Sequence, residues 1–343
     1  FIHSKLDYKI KNINNLICDE TMKPAKRAEV ALTQFGRMSD SEIVTPKNIA
    51  EEMTAMLPEM ENLSNVRFLD IASKQGEFAY AIYDKFAKID DSAKNNIYSL
   101  PTSSLCYEFT RKIYKLLGMP VENIFEDFNT YDLVNGNKDK YIKQLQDMKF
   151  GAIVGNPPYQ APISTAESNK SLSKQLFPDF IKISLSLNSS YVCLITPMRW
   201  FTGDAQDKSF VSLRKYLKSH NGISNLCLYH DVRDVFSNVV IKGGVCIFLN
   251  QNGYKGNVRF NIKGKDCDII QIRPLFEQGM DIILSDNRDY KILQKIHHEN
   301  SLTQITTGRN PFGIIGKEDF VQSISTLNKA KDSCVLRCKN NNI

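Results

Sequence analysis

Apolar positions in the middle of the chain alternate between strand-like runs and helical spacing. Between the runs, apolar residues recur every three or four positions, as at Phe78, Ile82 and Phe86, which predicts amphipathic helices. The short runs that are typical of strands are Val66–Ile71, Ile97–Leu100, Asn123–Phe125, Gly151–Gly155, Tyr191–Thr196, Ile223–Tyr229 and Gly244–Leu249. This alternation predicts an α/β fold built on a doubly wound, mostly parallel sheet of seven strands.

The two ends of the chain differ from this regular part. Residues 1–34 are polar and predict a helical extension, whereas residues 35–250 form the predicted α/β domain. In residues 251–343 the regularity fades after a strand-like stretch at Tyr254–Ile262. The chain begins with Phe1 rather than Met, which is compatible with a fragment of a longer polypeptide.

Composition narrows the functional classes without choosing among them. A formal net charge of +6 is compatible with a nucleic-acid partner. Apolar runs such as Val245–Leu249 are far too short to span a membrane, so no membrane association is expected. The eight cysteines include no Cys-x-x-Cys pair, and Cys334 and Cys338 lack a second pair, so no metal site is expected. Cysteines inside apolar strands favour a reducing, cytoplasmic compartment.

Three polar residues stand at the ends of predicted strands, namely Asp70, Asp127 and Asn156. In doubly wound sheets, ligands bind beyond the carboxyl ends of the strands, so these positions predict a ligand site. Each residue type is also common in ordinary strand-end turns, and position alone therefore assigns no role.

The turn Asn156-Pro157-Pro158-Tyr159 carries a chemical prediction of its own. Two prolines fix φ and remove two backbone donors, so the turn is stiff and presents carbonyl groups. The Asn156 side-chain oxygen and the Pro157 carbonyl could accept both hydrogens of an exocyclic –NH₂ group. Such acceptors would favour a tetrahedral nitrogen and free its lone pair for attack on an activated methyl group. Tyr159 supplies an aromatic face on which a base can stack.

This turn resembles motif IV of the amino-methyltransferases, and residues 35–250 are similar to the adenine-methyltransferase domain of restriction–modification enzymes in its gamma arrangement. The resemblance implies a Rossmann-like fold that binds S-adenosylmethionine. It also implies methyl transfer to N6 of an adenine that flips out of double-stranded DNA. On this basis the catalytic residues are Asn156, Pro157, Pro158 and Tyr159.

The same resemblance implies a set of cofactor contacts. They come from an N-terminal Thr-Pro motif, the loop after the first strand and an acidic position near the cofactor's adenine ring: Thr45, Asp70, Ala72, Gly76, Phe78, Asp127 and Phe128. Two departures accompany it. The family pattern Asp-Pro-x-x-Gly-x-Gly is reduced here to a loop in which only Gly76 remains, with Lys74 as an unusual neighbour. After Ile97–Leu100, no acidic residue that could hold the ribose follows until Glu108. Thr45 before Pro46 also has the pattern of a helix N-cap.

Contacts to DNA are expected from Arg199 and Lys242, which lie in segments that recur in this family, although packing of Arg199 on Trp200 is equally compatible with the sequence. The Ser-rich stretch Gln160–Lys174 is expected to order over DNA. Residues 251–343 are expected to hold a linker and the start of a target-recognition region. A restriction nuclease or helicase, in the same polypeptide or another, is an expected partner by resemblance.

Two other functional classes fit the same residues. The planar –NH₂ group could belong to cytosine N4, a guanine in RNA or a glutamine side chain in a protein. Alternatively, the altered loop around Lys74 could mark a degenerate subunit that binds DNA without methylating it. The Thr45-Pro46 motif and the basic C-terminal extension favour DNA, and the intact Asn156–Tyr159 turn favours an enzyme.

Overall fold

The computed structural model describes residues 11, 14–34, 43–160, 174–205, 207–220, 222–236, 239, 241–265 and 267–296. The chain divides into two compact units, Phe1–Asn287 and Arg288–Ile343. The second unit is described only over part of one helix. The expected recognition region beyond residue 296 and most of the stretch Gln160–Lys174 lie outside the described residues.

A single sheet of eight strands runs through the first unit. In chain order the strands are β1 (Phe68–Ser73), β2 (Ile97–Pro101), β3 (Ala152–Gly155), β4 (Tyr191–Pro197), β5 (Ile223–Tyr229), β6 (Val245–Gln251), β7 (Val258–Ile262) and β8 (Ile269–Arg273). Across the sheet their order is β2-β1-β3-β4-β6-β5-β7-β8. β2, β1, β3 and β4 are parallel neighbours, as are β5 and β7, whereas β6 is antiparallel to both β4 and β5 and β8 is antiparallel to β7.

The predicted α/β fold with a mostly parallel sheet is confirmed, but the strand set differs at its margins. Asn123–Phe125 is not a strand, because the chain closes a 3-10 turn over Val121–Asn123 and only Ile124 forms a bridge, to Ser99 of β2. The strand-like stretch before residue 262 is β7, which continues the sheet. β8 was not predicted, because its isoleucines are largely exposed and do not alternate with polar residues. The described sheet therefore has eight strands instead of seven.

Helices of the first unit cover both faces of this sheet, and one further helix begins at the boundary with the second unit. In chain order they are α1 (Pro24–Gln34), α2 (Lys47–Ala55), α3 (Glu77–Ile82), α4 (Ser104–Leu117), α5 (Lys138–Asp147), α6 (Phe177–Ser186), α7 (Ser209–His220) and α8 (Asn287–Ile296). Residues of α1 to α4 share one hydrophobic core with alternate strand positions such as Phe68 and Val154, and residues of α5 to α7 share a second core with Leu69 and Ile153. Because β1 and β3 are buried on both faces, their residues are mostly apolar, with Asp70 and Ser73 of β1 as the exceptions. Among the described helices, none is long and apolar enough to cross a membrane.

Candidate active site

The carboxyl ends of the parallel strands bring the predicted site residues to one edge of the sheet. Asp70 of β1 lies beside Val154 of β3, so Asn156 leaves β3 next to the loop that follows β1. The two strands approach so closely that a Cβ on Gly155 would lie 2.9 Å from Cγ2 of Ile71. A glycine is therefore required at the last position of β3, immediately before the turn.

The Asn156 side chain is buried and held by its nitrogen. Its Nδ2 atom donates to the Ile43 carbonyl and to Oγ1 of Thr45, each at 3.1 Å. These bonds occupy both N–H groups of the amide, which leaves the amide oxygen Oδ1 as the acceptor that this side chain can offer. The predicted N-cap at Thr45 is wrong, because α2 begins at Lys47 after Pro46 with no side-chain cap, and the Thr45 hydroxyl accepts from Asn156 instead.

Tyr159 packs at the far end of the turn with 8% of its surface exposed. Its ring lies edge-on to Phe177 at a centroid distance of 6.3 Å, and its carbonyl accepts from the Leu176 amide at 3.1 Å. The phenol oxygen is buried without a hydrogen-bond partner in the described part of the chain. Burial raises the pKa of this phenol, so Tyr159 stays neutral. A small cavity is lined by all four residues of the turn together with Ile43 and Lys74.

Lys74 is the feature that sequence reasoning noticed without assigning a role. Its side chain is 2% exposed, and its ammonium donates to the main-chain carbonyl of Asn156 at 2.7 Å. A second, longer contact of 3.4 Å joins it to the carbonyl of Ala72. The loop after β1 and the Asn156 turn are thus joined by one buried ammonium group. The signal of this contact in the sequence was a lysine at a position where the family pattern has a glycine.

Two buried carboxyl groups lie in the same loop. Oδ1 of Asp70 accepts from the Ala72 amide at 3.2 Å, while Oδ2 has no hydrogen-bond partner among the described residues. Burial, and then the nearby Glu77 carboxylate, raise the pKa of Asp70 to about 8, and the Lys74 ammonium acts in the opposite direction. Glu77 is buried as well, and its Oε2 accepts from the Gln75 amide at 3.1 Å. Glu77 was not among the predicted site residues.

The remaining loop residues predicted to contact a cofactor shape the turn from β1 into α3. Gly76 has φ +83°, a conformation that glycine adopts without strain, and a Cβ there would lie 3.4 Å from Cβ of Ile113. Ala72 and Phe78 are fully buried on either side of it. Gly76 therefore allows α3 to begin directly behind the carboxyl end of β1.

Asp127 and Phe128 reach the same edge of the sheet from the segment after β2. The hydroxyl of Thr130 lies 3.0 Å from the Leu100 carbonyl and 3.1 Å from the Ile71 carbonyl, which ties this segment to the ends of β1 and β2. Asp127 is exposed, whereas Phe128 is buried and stacks on Tyr141 at 4.5 Å. The structure thus brings a carboxylate and an aromatic group to the rim of the site.

The two predicted DNA contacts lie at this edge too. Arg199 follows β4 in a 3-10 turn and donates from Nη2 to Oε1 of Gln175 at 2.7 Å, while Trp200 is buried edge-on against Phe201. Lys242 is exposed in the turn before β6, and this turn is joined to the end of β4 by a bond from the Met198 amide to the Gly244 carbonyl, 3.0 Å long. Nothing among the described residues groups three or more His, Cys, Asp or Glu side chains that could hold a metal ion.

Comparisons with known proteins agree with this geometry. Residues 93–236, which include the Asn156–Tyr159 turn, match the family model of the Eco57I restriction-modification methylase. A Mycoplasma pneumoniae protein described as an uncharacterized adenine-specific methylase is 32% identical over 157 residues, which cover 43% of this chain and 36% of that protein. The chain therefore spans about a third of the length of this curated relative.

Solved structures show the same fold. The methyltransferase subunit of a type I restriction-modification system from Streptococcus thermophilus superposes with a TM-score of 0.51 at 16% identity, over 81% of this chain and 58% of that one. A Listeria monocytogenes protein assigned as a class I S-adenosylmethionine-dependent methyltransferase gives a TM-score of 0.50 at 12% identity, over 70% of this chain and 72% of that one. The resemblance that the Asn156–Tyr159 turn predicts is confirmed over residues 93–236, which match the model of the Eco57I restriction-modification methylase, and the chain has the Rossmann-like fold of the S-adenosylmethionine-dependent methyltransferases.

Proposed function

We propose that this chain transfers a methyl group from S-adenosylmethionine to N6 of a flipped adenine in double-stranded DNA. The observation that carries the proposal is the orientation of the Asn156 amide. With both N–H groups of Nδ2 engaged by Ile43 and Thr45, the side chain offers Oδ1 as an acceptor beside the stiff Pro157-Pro158 segment. An exocyclic amine needs such acceptors, since it presents two N–H donors.

The residues of the turn have different roles in binding and activating that amine. Asn156 Oδ1 and the Pro157 carbonyl accept its two N–H bonds and favour a tetrahedral nitrogen, which localises the lone pair. Once the new N–C bond has formed, the cationic nitrogen releases one proton to water, because neither amide oxygen is basic enough to keep it. Tyr159 stays neutral and offers its ring edge or face to the base, since its phenol is buried. Positioning therefore supplies most of the rate enhancement, and no deprotonating base is required before attack.

The loop after β1 fits a cofactor that carries positive charge. Asp70 holds a buried oxygen without a partner in the described chain, Glu77 adds a second buried carboxyl, and Gly76 leaves room at the start of α3. We assign the cofactor contacts to the residues expected from the sequence: Thr45, Asp70, Ala72, Gly76, Phe78, Asp127 and Phe128. S-adenosylmethionine, when bound, supplies a methyl group activated by a sulfonium whose sulfur keeps the bonding electron pair.

The proposed partners follow from the family. Arg199 and Lys242 flank the turn at the same sheet edge, so we assign them contacts to the DNA backbone. Association with a restriction nuclease or helicase is proposed because one structural relative is a subunit of a type I restriction-modification system. Residues 251–343 stay assigned to a linker and the start of a recognition region, although β7 and β8 continue the main sheet as far as Arg273.

The test is methyl transfer from tritium-labelled S-adenosylmethionine by the full chain to DNA from a host without adenine methylases. The products are identified by nucleoside mass spectrometry. We expect N6-methyladenine from the wild type, and a loss of at least about 100-fold for Asn156→Ala, since one of two acceptors disappears while calorimetric cofactor binding persists. Asn250→Ala is the matched control, because Asn250 is buried at the opposite edge of the sheet and accepts from the Gly222 amide.

The product and the variants separate the competing functions. N4-methylcytosine would move the reaction to another base, and methylated RNA or protein with unmodified DNA would move it to another substrate class. DNA binding without cofactor binding would replace the enzyme by a degenerate DNA-binding subunit. Near-normal transfer by Asn156→Ala would refute the role of the turn.

A further inference from the structure

Lys74 occupies a position where a charged side chain needs an explanation. In the loop Asp70-Ile-Ala-Ser-Lys74-Gln-Gly76 it stands where the family pattern has the first of its two glycines. It is 2% exposed, although the transfer of an ammonium group out of water is strongly unfavourable. Such a group is tolerated where hydrogen bonds compensate for the lost hydration.

Hydrogen bonds of this kind are present around Lys74. The ammonium donates to the Asn156 carbonyl at 2.7 Å and approaches the Ala72 carbonyl at 3.4 Å. The Asp70 carboxyl also lies near enough for the ammonium to lower its pKa, although burial and the Glu77 carboxylate raise that pKa by more. The shorter bond is made to the turn and not to the loop that contains the lysine. The lysine side chain therefore reaches from the loop after β1 to the turn after β3.

The bond to Asn156 has a geometric consequence for the next carbonyl. The peptide group between Asn156 and Pro157 is planar, so a donor on the Asn156 oxygen fixes the plane that contains the Pro157 nitrogen. Proline then locks φ of Pro157, and Pro158 restricts the ψ of Pro157 to extended values. No soft torsion remains between the anchored carbonyl of Asn156 and the carbonyl of Pro157. The direction of the Pro157 carbonyl is thus set by Lys74.

We propose that Lys74 is a positioning residue that aims the Pro157 carbonyl at the substrate amine and links the loop after β1 to the Asn156–Tyr159 turn. This inference rests on the proposed function, in which that carbonyl is one of two acceptors. Thr45 and Ile43 orient the side chain of Asn156, and Lys74 orients its main chain. A glycine at position 74 would provide no such donor, so in this chain the two acceptors are fixed by separate contacts.

The experiment compares Lys74→Met, Lys74→Arg and the control Lys85→Met in the full chain. Lys85 is a matched control because its ammonium also donates to carbonyls at the C-terminal end of α2, those of Thr54 at 3.1 Å and Leu57 at 2.5 Å. We expect Lys74→Met to lower kcat by about 30-fold or more, about 2 kcal/mol, with KM for S-adenosylmethionine changed less than about threefold. Lys74→Arg, which keeps a cationic donor, should restore part of kcat. Lys85→Met should lower the melting temperature and leave kcat unchanged.

A second readout is independent of catalysis. Hydrogen–deuterium exchange of the segment 152–160 should accelerate in Lys74→Met and remain unchanged in Lys85→Met. If the wild type transfers no methyl group but exchange accelerates as expected, the proposed function fails and the link between loop and turn stands. A raised KM for the cofactor with unchanged kcat and exchange would overturn the proposal, because Lys74 would then act on the cofactor. Equal kcat losses in Lys74→Met and Lys85→Met would overturn it as well, because the effect would be one of stability.

Discussion

The replacement Thr45→Val tests how the Asn156 amide is oriented. Valine has nearly the shape of threonine but cannot accept the bond that Nδ2 of Asn156 makes to Oγ1 at 3.1 Å. Thr45 is 1% exposed, so no water can readily take the place of the hydroxyl. One N–H group of the amide is then buried without an acceptor. The amide then keeps only its bond to the Ile43 carbonyl, so its orientation is held less firmly and Oδ1 is aimed less well at the substrate amine.

The magnitude follows from the cost of that unpaired donor. A buried N–H without a partner costs about 1–3 kcal/mol, and each 1.36 kcal/mol in a barrier corresponds to a factor of ten in rate. Because the acceptor is needed in the transition state, we expect kcat to fall by about 5- to 150-fold in Thr45→Val. The assay is the steady-state rate of methyl transfer to DNA with S-adenosylmethionine and DNA varied separately.

Thr54→Val is the matched control for this prediction. Thr54 is equally buried, and its hydroxyl donates to the Ala50 carbonyl at 2.8 Å within α2, away from the turn. Both variants lose one buried hydroxyl, so a difference in kcat between them reports on Asn156. The reasoning is refuted if Thr45→Val keeps its kcat, or if only KM for S-adenosylmethionine rises, because Thr45 would then contact the cofactor alone.

Two further predictions concern charge. The pKa of Asp70 is about 8 in the fold against an ordinary 3.8, so between these pH values the folded protein keeps a proton that the unfolded chain releases. The contribution of this proton to the stability of the fold is therefore full below about pH 4 and is lost as pH rises through about 8. The urea midpoint of Asp70→Asn minus that of the wild type should therefore increase between pH 5 and pH 8, whereas the same difference for the exposed Asp139→Asn should stay constant. A difference for Asp70→Asn that does not change with pH would contradict this prediction. Lys242→Ala should weaken DNA binding and reduce the slope of the logarithm of the DNA association constant against the logarithm of the salt concentration by about one. Lys255 is exposed at the opposite edge of the sheet, so Lys255→Ala should leave this slope unchanged. Equal slopes for the wild type and both variants would show that Lys242 does not contact DNA.

The fold was largely predictable because its strands are buried on both faces. Such strands are largely apolar runs that differ from the amphipathic helices on either side, as in β3 and in β1 apart from Asp70 and Ser73. The errors fall where burial is partial. Asn123–Phe125 has the composition of a strand but pairs at one residue only, and β8 is an edge strand whose isoleucines remain exposed. The periodicity of apolar residues reflects burial, so it predicts strands poorly at the margins of a sheet, where burial is partial.

The site was predictable to the extent that its residues follow strands along the chain. Strand ends placed Asp70 and Asn156 at one edge, and a motif supplied the chemistry of the turn. Contacts between loops from different strands could not be read in this way. Thr45 and Lys74 are separated from Asn156 by 111 and 82 positions, yet each donates to or accepts from it directly. The lysine that stands in place of a glycine forms, in the folded chain, a hydrogen bond to the Asn156–Tyr159 turn. A loop that departs from its family pattern is therefore better judged by what the new side chain contacts than by what the missing glycine no longer allows.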